Sequence, residues 1–174
     1  MMPADFPVWR TIKLGMYQSG AAYLEALSED GFAVDDRAKL ILQSPDFVCA
    51  PEPTLVDLIV APGTEFFFER IAYRNELQER AQEEFGLLLC PAEVGPVLRL
   101  SLFEQKANEI LYVEMDPITV YVDDRDLGHQ RATFAVVNLR YGNTFIKELR
   151  GWNGKPDHAY RPEHLHVFMR PRLK

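Results

Sequence analysis

Hydrophobic positions along this chain change their spacing once, and the change divides it into a helix-rich first part and a strand-rich second part. Val8 to Leu14 reads as a short opening strand. Ser19 then offers a helix N-cap, with Tyr23, Leu24 and Leu27 making an apolar face and Gly31 a fitting terminator. Asp35 or Asp36 caps a second short helix carrying Ala38, Ile41 and Leu42; the Ser44-Pro45 step ends it, because the residue before proline avoids the helical region. Leu55 to Val60 is a near-continuous apolar run, the pattern of a buried strand, with Asp57 as an anomaly inside it. Arg74 to Phe85 is the clearest helix: Tyr73, Leu77, Ala81 and Phe85 repeat every four residues, Glu76 and Arg80 make an i,i+4 pair, and Gly86 stands where a C-terminal cap belongs.

Beyond Cys90 the pattern alternates. Val97 to Phe103 reads as a strand with Leu98, Leu100 and Leu102 on one face and Arg99 and Ser101 on the other. Ile110 to Met115 is a second such strand. Ala132 to Leu139 and Thr144 to Leu149 flank Gly142-Asn143, a pair suited to a tight hairpin, and Leu165 to Met169 is the last strand. The prolines at 45, 51, 53 and 62 mark a connection after the first helices rather than a flexible linker, and no repeat or Gly/Ser-rich spacer interrupts the chain. The order predicts one globular α+β domain over 1–174, with two or three N-terminal helices packed on a mostly antiparallel sheet.

Composition narrows the classes. At 174 residues, 47% hydrophobic and 26% charged, the chain is long enough for a real core and ordinary in makeup. No apolar run approaches the roughly 20 residues of a membrane-spanning helix, and the first residues lack a basic start followed by an apolar stretch, so a cytoplasmic location is expected. The net charge of −7 opposes a phosphate backbone, leaving Arg161 to Lys174 as the only dense basic run for nucleic acid. The N-terminal helix pair as a helix-turn-helix meets the same objection, since Asp35 and Asp36 would open its second helix. Two cysteines, Cys49 and Cys90, make no disulfide framework.

The most distinctive stretch is GLLLCPAEVGPVLRL, Gly86 to Leu100. Together with WRTIKLG (Trp9 to Gly15), ILQSPDF (Ile41 to Phe47), MDPIT (Met115 to Thr119) and the ending NGKPD…YRPE…VFMRPR (Asn153 to Arg172), it resembles a group of uncharacterised bacterial proteins of unknown function. The resemblance covers most of the chain and implies a single bacterial intracellular domain, without an activity, a substrate or a catalytic residue. The chain departs from that pattern at His166-Val167-Phe168, where an aromatic pair is expected, and in the polar stretch Asp123 to Gln130.

Candidate chemistry is sparse. A catalytic Cys90 needs a lowered thiol pKa, but the residue follows a helix C-terminus, whose dipole disfavours a thiolate; a packed structural thiol is expected. Pro91 and Pro96 bracket a bend in which Gly95 is expected to take positive φ, with Glu93 accepting backbone N–H bonds. Three of the four histidines, His158, His164 and His166, fall within nine residues, and alternation puts His164, His166 and Phe168 on one strand face. Such imidazoles are candidate ligands for Zn²⁺ or Fe²⁺, against the alternative of a half-exposed, hydrogen-bonded face. Asp123, Asp124 and Asp126 before Gly128 lack the distal glutamate of a calcium loop. Glu114 and Asp116 are a possible acid and base but read better as surface charges where Pro117 ends a strand. No Walker loop, GxGxxG, GxSxG or HExxH is present, and no cofactor is expected. The catalytic residues, if any, stay unassigned. The expected function is therefore a non-enzymatic protein- or ligand-binding module with Trp152 and Tyr160 on its exposed surface. The alternatives are a small hydrolase or metal-dependent enzyme using the C-terminal histidines, and a nucleic-acid-associated module using the basic C-terminus.

Overall fold

A computed structural model of the chain describes residues 6–67, 69–123 and 128–172. The first part holds β1 (Arg10–Leu14), α1 (Gly20–Glu29), β2 (Ala33–Val34), α2 (Asp36–Gln43), β3 (Thr54–Pro62), α3 (Thr64–Phe67), β4 (Ala72–Tyr73) and α4 (Arg74–Glu83). The rest holds α5 (Val94–Ser101), β5 (Glu109–Val113), β6 (Ile118–Val122), β7 (Gly128–Tyr141), β8 (Thr144–Asn153), β9 (Ala159–Tyr160) and β10 (Leu165–Arg170). The class is α+β. Its large sheet runs β1-β3-β10-β5-β7-β8-β2, with β6 also paired to β7, and is antiparallel except for β10–β5 and β2–β8. A separate short ladder joins β4 and β9.

Local chemistry sets most boundaries as expected. The Ser19 and Asp35 side chains accept the N–H groups of Ala22 and Ala38 and open α1 and α2, and Ser44 ends α2. Gly31 and Gly86 take positive φ just past α1 and α4, and Gly142 does so in the two-residue turn that pairs Tyr141 with Thr144. Two residues rather than one tight turn separate the first helix pair from a helix-turn-helix: Ala33 and Val34 form a strand paired with β8.

The sheet is covered on both faces because successive strand residues point to opposite sides. Leu111, Val113, Phe134, Val136 and Val167 pack toward α1, α2 and α5, beside Leu27, Ile41 and Leu98. Tyr112, Ala135, Val137 and Phe168 pack on the other side, beside Phe66 of α3 and Leu77 and Ala81 of α4. Burial between helices on both faces explains why the Leu55 to Val60 stretch of β3 reads as a near-continuous apolar run.

Three local expectations are corrected. The strand expected over Val97 to Phe103 is helix α5, whose Val94, Val97 and Leu98 recur at helical spacing and are buried, with Arg99 buried beside them. Pro96 is tolerated because it lies in the first turn, where an N–H has no intrahelical partner. Gly95 is helical rather than at positive φ; a Cβ there would lie 2.5 Å from the Phe134 ring, so close approach requires the glycine. The Glu76–Arg80 pair does not form: Glu76 binds Arg70 and Arg80 binds Glu84. Asp57, the anomaly of β3, accepts from Thr11 on β1 and from the Arg172 guanidinium at the chain's end.

Candidate functional site

The sheet has a break at its centre, and the polar residues gather there. β8 occupies one edge of β7 from Ala132 to Tyr141, so β5 and β6 lie end to end along the other edge. Residues 114–117 join them without pairing to β7. Glu114, first in this join, is anchored through its backbone: its N–H donates to Val167 at 3.0 Å and its carbonyl accepts from Cys90 N at 2.7 Å. Its side chain is fully buried, which corrects the expectation of a surface charge.

A buried carboxylate needs charge and hydrogen bonds around it, and α4 and β10 supply them. Arg74, the first residue of α4, donates through Nη1 to Glu114 Oε2 at 3.2 Å, and Gln78 one turn later donates to the same oxygen at 2.9 Å. His166 Nδ1, from β10, lies 2.9 Å from Glu114 Oε1; with an ionised carboxylate as acceptor, that nitrogen carries the proton. Arg74 Nη2 donates to Thr133 of β7, to the Asn153 carbonyl at 2.7 Å and to the Tyr160 hydroxyl of β9. Burial alone would push the Glu114 carboxyl up; the Arg74 guanidinium, then His166 and Gln78, outweigh it and hold the carboxyl below its ordinary range. Burial pushes the Tyr160 hydroxyl well above its ordinary value, and the Glu114 charge adds to this. Two nitrogens of this centre have no partner among the described residues, Arg74 Nε and His166 Nε2, and both are sealed from solvent.

The three C-terminal histidines do come together, but around a ring. His158, His164 and His166 lie 4.9, 6.1 and 4.6 Å from the Tyr160 ring, all steeply inclined to it. Their nitrogens are drawn to different partners: His158 Nε2 accepts from Trp152 Nε1 at 3.2 Å, His164 Nδ1 accepts from Arg161 N at 3.3 Å, and His166 faces Glu114. Among the described residues no group of three or more His, Cys, Asp or Glu side chains is placed to hold a metal ion. Burial, then Arg74, lowers the His158 pKa; burial, then His166, lowers that of His164. Both imidazoles are thereby biased toward the neutral form.

Other expectations resolve individually. Tyr160 is 1% exposed and Trp152 half-buried against Tyr112, so neither forms the exposed aromatic surface expected of them. Cys90 is buried, its Sγ 3.5 Å from the Val167 carbonyl, and burial, then Glu114, raises its thiol pKa. Glu93 accepts backbone N–H bonds, but from distant segments: Gly15 at 2.8 Å and Ala50 at 2.7 Å, together with the Tyr23 hydroxyl at 2.5 Å. In the basic run, Arg170 donates to the Phe6 carbonyl and Arg172 is paired with Asp57; Lys174 lies outside the described residues, as do Asp124 and Asp126 of the candidate calcium loop.

Arg74, Gln78 and Thr133 escaped sequence reasoning. One signal was present: Arg74 stands at helical spacing from Leu77 and Ala81, so a charge occupies the buried face of α4, while Tyr73, assigned to that face, is 48% exposed.

Beside the sealed centre lies an open cleft of about 300 Å³, where the parallel strands β5 and β10 begin. Tyr112 and His164 form part of its wall and link it to the buried cluster, their rings 5.1 Å apart. Comparison with protein-family models, with curated proteins and with solved structures finds no match.

Proposed function

We propose that this chain is a non-enzymatic ligand-binding module whose ligand enters the cleft at the start of β5 and β10. The supporting observation is a contrast in access. The charged centre is closed to solvent and its carboxylate oxygens are occupied, so Glu114, Arg74 and His166 serve to hold α4, β7 and β10 around the break in the sheet. The cleft a few ångströms away is open, has the size of a small-ligand pocket, and shares Tyr112 with the rigid cluster. A rigid polar centre under an open cleft is the arrangement of a preorganised binding site, where ordering costs are already met before the ligand arrives.

The test is a nuclear magnetic resonance screen of the ¹⁵N-labelled chain against a small-molecule set divided equally into cationic, neutral and anionic members. The expected result is that hits shift amides in 108–112 and 163–165. Hits that map elsewhere, or turnover of a set member by the purified protein, would overturn the reading.

A further inference from the structure

Resting on that reading, we infer that the cleft takes the cationic head of a small amine, an ammonium group on a short apolar stem. Two carboxylates, Glu109 and Glu163, line the cleft. Neither is paired with a cation among the described residues, although six other acidic residues are. A pair of acids on a surface is by itself only a solvated face.

Tyr112 is the independent observation. The residue is 3% exposed, burial raises its pKa, and among the described residues its hydroxyl makes no hydrogen bond. The tyrosine also lines the cleft. An oxygen held by a packed ring at the wall of an acid-lined cleft is an acceptor waiting for a donor, and an ammonium group carries three.

The rest of the lining suits the same ligand. Ile110, Leu165 and the Tyr112 ring offer apolar surface to a stem, and an aromatic face attracts a cation. His164 does not compete as a cation: its Nδ1 accepts from Arg161, and burial biases the imidazole toward neutrality. Arg161 is an opposing charge felt at His164 together with Glu163, but no lysine or arginine lines the cleft. A metal ion is the poorer fit, since no set of three or more ligating side chains converges among the described residues. An anion would face both carboxylates without a lining cation.

The experiment titrates the ¹⁵N-labelled full chain at neutral pH with n-butylamine, n-butanol and butyrate in turn. Butylamine is expected to give saturable shifts confined to 108–112 and 163–165, with butanol and butyrate giving none there. Glu109→Gln with Glu163→Gln should weaken butylamine binding about tenfold or more, and Tyr112→Phe several-fold, as loss of charged and neutral hydrogen bonds predicts. Both carboxylates lie outside the core, so a dispersed spectrum is expected of the double variant. Absence of saturable butylamine shifts, or an unchanged affinity in the double variant, would overturn the cation assignment. Saturation by butanol or butyrate instead would overturn it while leaving the binding reading intact. If no member of the wider screen touches the cleft, the binding reading itself falls.

Discussion

Glu114 stands where one side chain ties two structural elements, α4 and β10, to the break in the sheet, and its worth is set by what happens when a partner is removed. Deleting one member of a buried ion pair leaves the other charge uncompensated, at a cost of about 3–5 kcal/mol. Arg74→Ala should therefore lower the unfolding free energy by that amount in urea titration; a loss under about 1 kcal/mol would show the centre to be solvated. The same carboxyl predicts acid lability. Its folded pKa is depressed below the ordinary value of 4.5, so its stabilisation is fully present above that value and is lost as pH falls through the folded one. Urea midpoints between pH 6 and pH 3 should fall less steeply in Glu114→Gln than in the unaltered chain; parallel slopes would remove Glu114 from the acid response. Cys90 carries a third expectation. Its buried thiol, with a raised pKa, should resist a thiol reagent at pH 8 in the folded protein and react fully in denaturant, read by mass spectrometry of the peptide that contains it. Prompt labelling of the native protein would refute the packing described here. At this scale the sequence was half legible. The structural thiol and the backbone-capping glutamate followed from position and chemistry. Burial of Glu114 did not, because Pro117 gives the same local signal whether the strand ends at the surface or at a break in a sheet's interior.

Among the elements, α5 shows how two periods compete. Leu98, Leu100 and Leu102 alternate as a strand would, while Val94, Val97 and Leu98 recur as a helix would, and both patterns exist in the same nine residues, Val94 to Leu102. Helix wins because its inward face meets Phe134 and the α1 helix, and because the carboxylate of Glu93, which precedes it, binds the end of β1, the α1 tyrosine and the loop before β3. Gly95 makes that docking possible. Alanine is about 1 kcal/mol better than glycine inside a helix, yet its Cβ would sit 2.5 Å from one Phe134 ring carbon and 2.9 Å from the Phe134 Cβ. Overpacking of this kind costs about 1–3 kcal/mol, and the clash at the base of the side chain leaves little room to relax. Gly95→Ala should lower the Tm; an unchanged or higher Tm would show that propensity outweighs the contact. By contrast, α1, α2, α4 and the β7–β8 hairpin were legible from caps, terminators and turn residues, since those signals act over a few neighbouring residues and do not depend on what packs above them.

Over the whole molecule, one sheet is shared by two cores, and that coupling predicts cooperative unfolding. Trp9 packs against the core beneath α1, α2 and α5, and Trp152 against the core beneath α3 and α4. The variants Trp9→Phe and Trp152→Phe each leave one reporter. Their fluorescence transitions in urea should coincide with each other and with the loss of far-ultraviolet circular dichroism; separated midpoints would mean that the two faces unfold independently. The sequence by itself determined the α+β class, the boundaries of most helices, the hairpin turn and the gathering of histidines near the C-terminus. Those features are written in spacings of a few residues. Only the tertiary structure decided that α5 is a helix, that Arg74 turns inward, and that the histidines surround a tyrosine. It alone decided that Glu114 closes a charged centre in the break of the sheet. Apart from the histidines, which are near Tyr160 in the chain, these depend on partners tens of residues away, such as Arg74 with Glu114 and Tyr160, and pairing over such distances leaves no period in the chain.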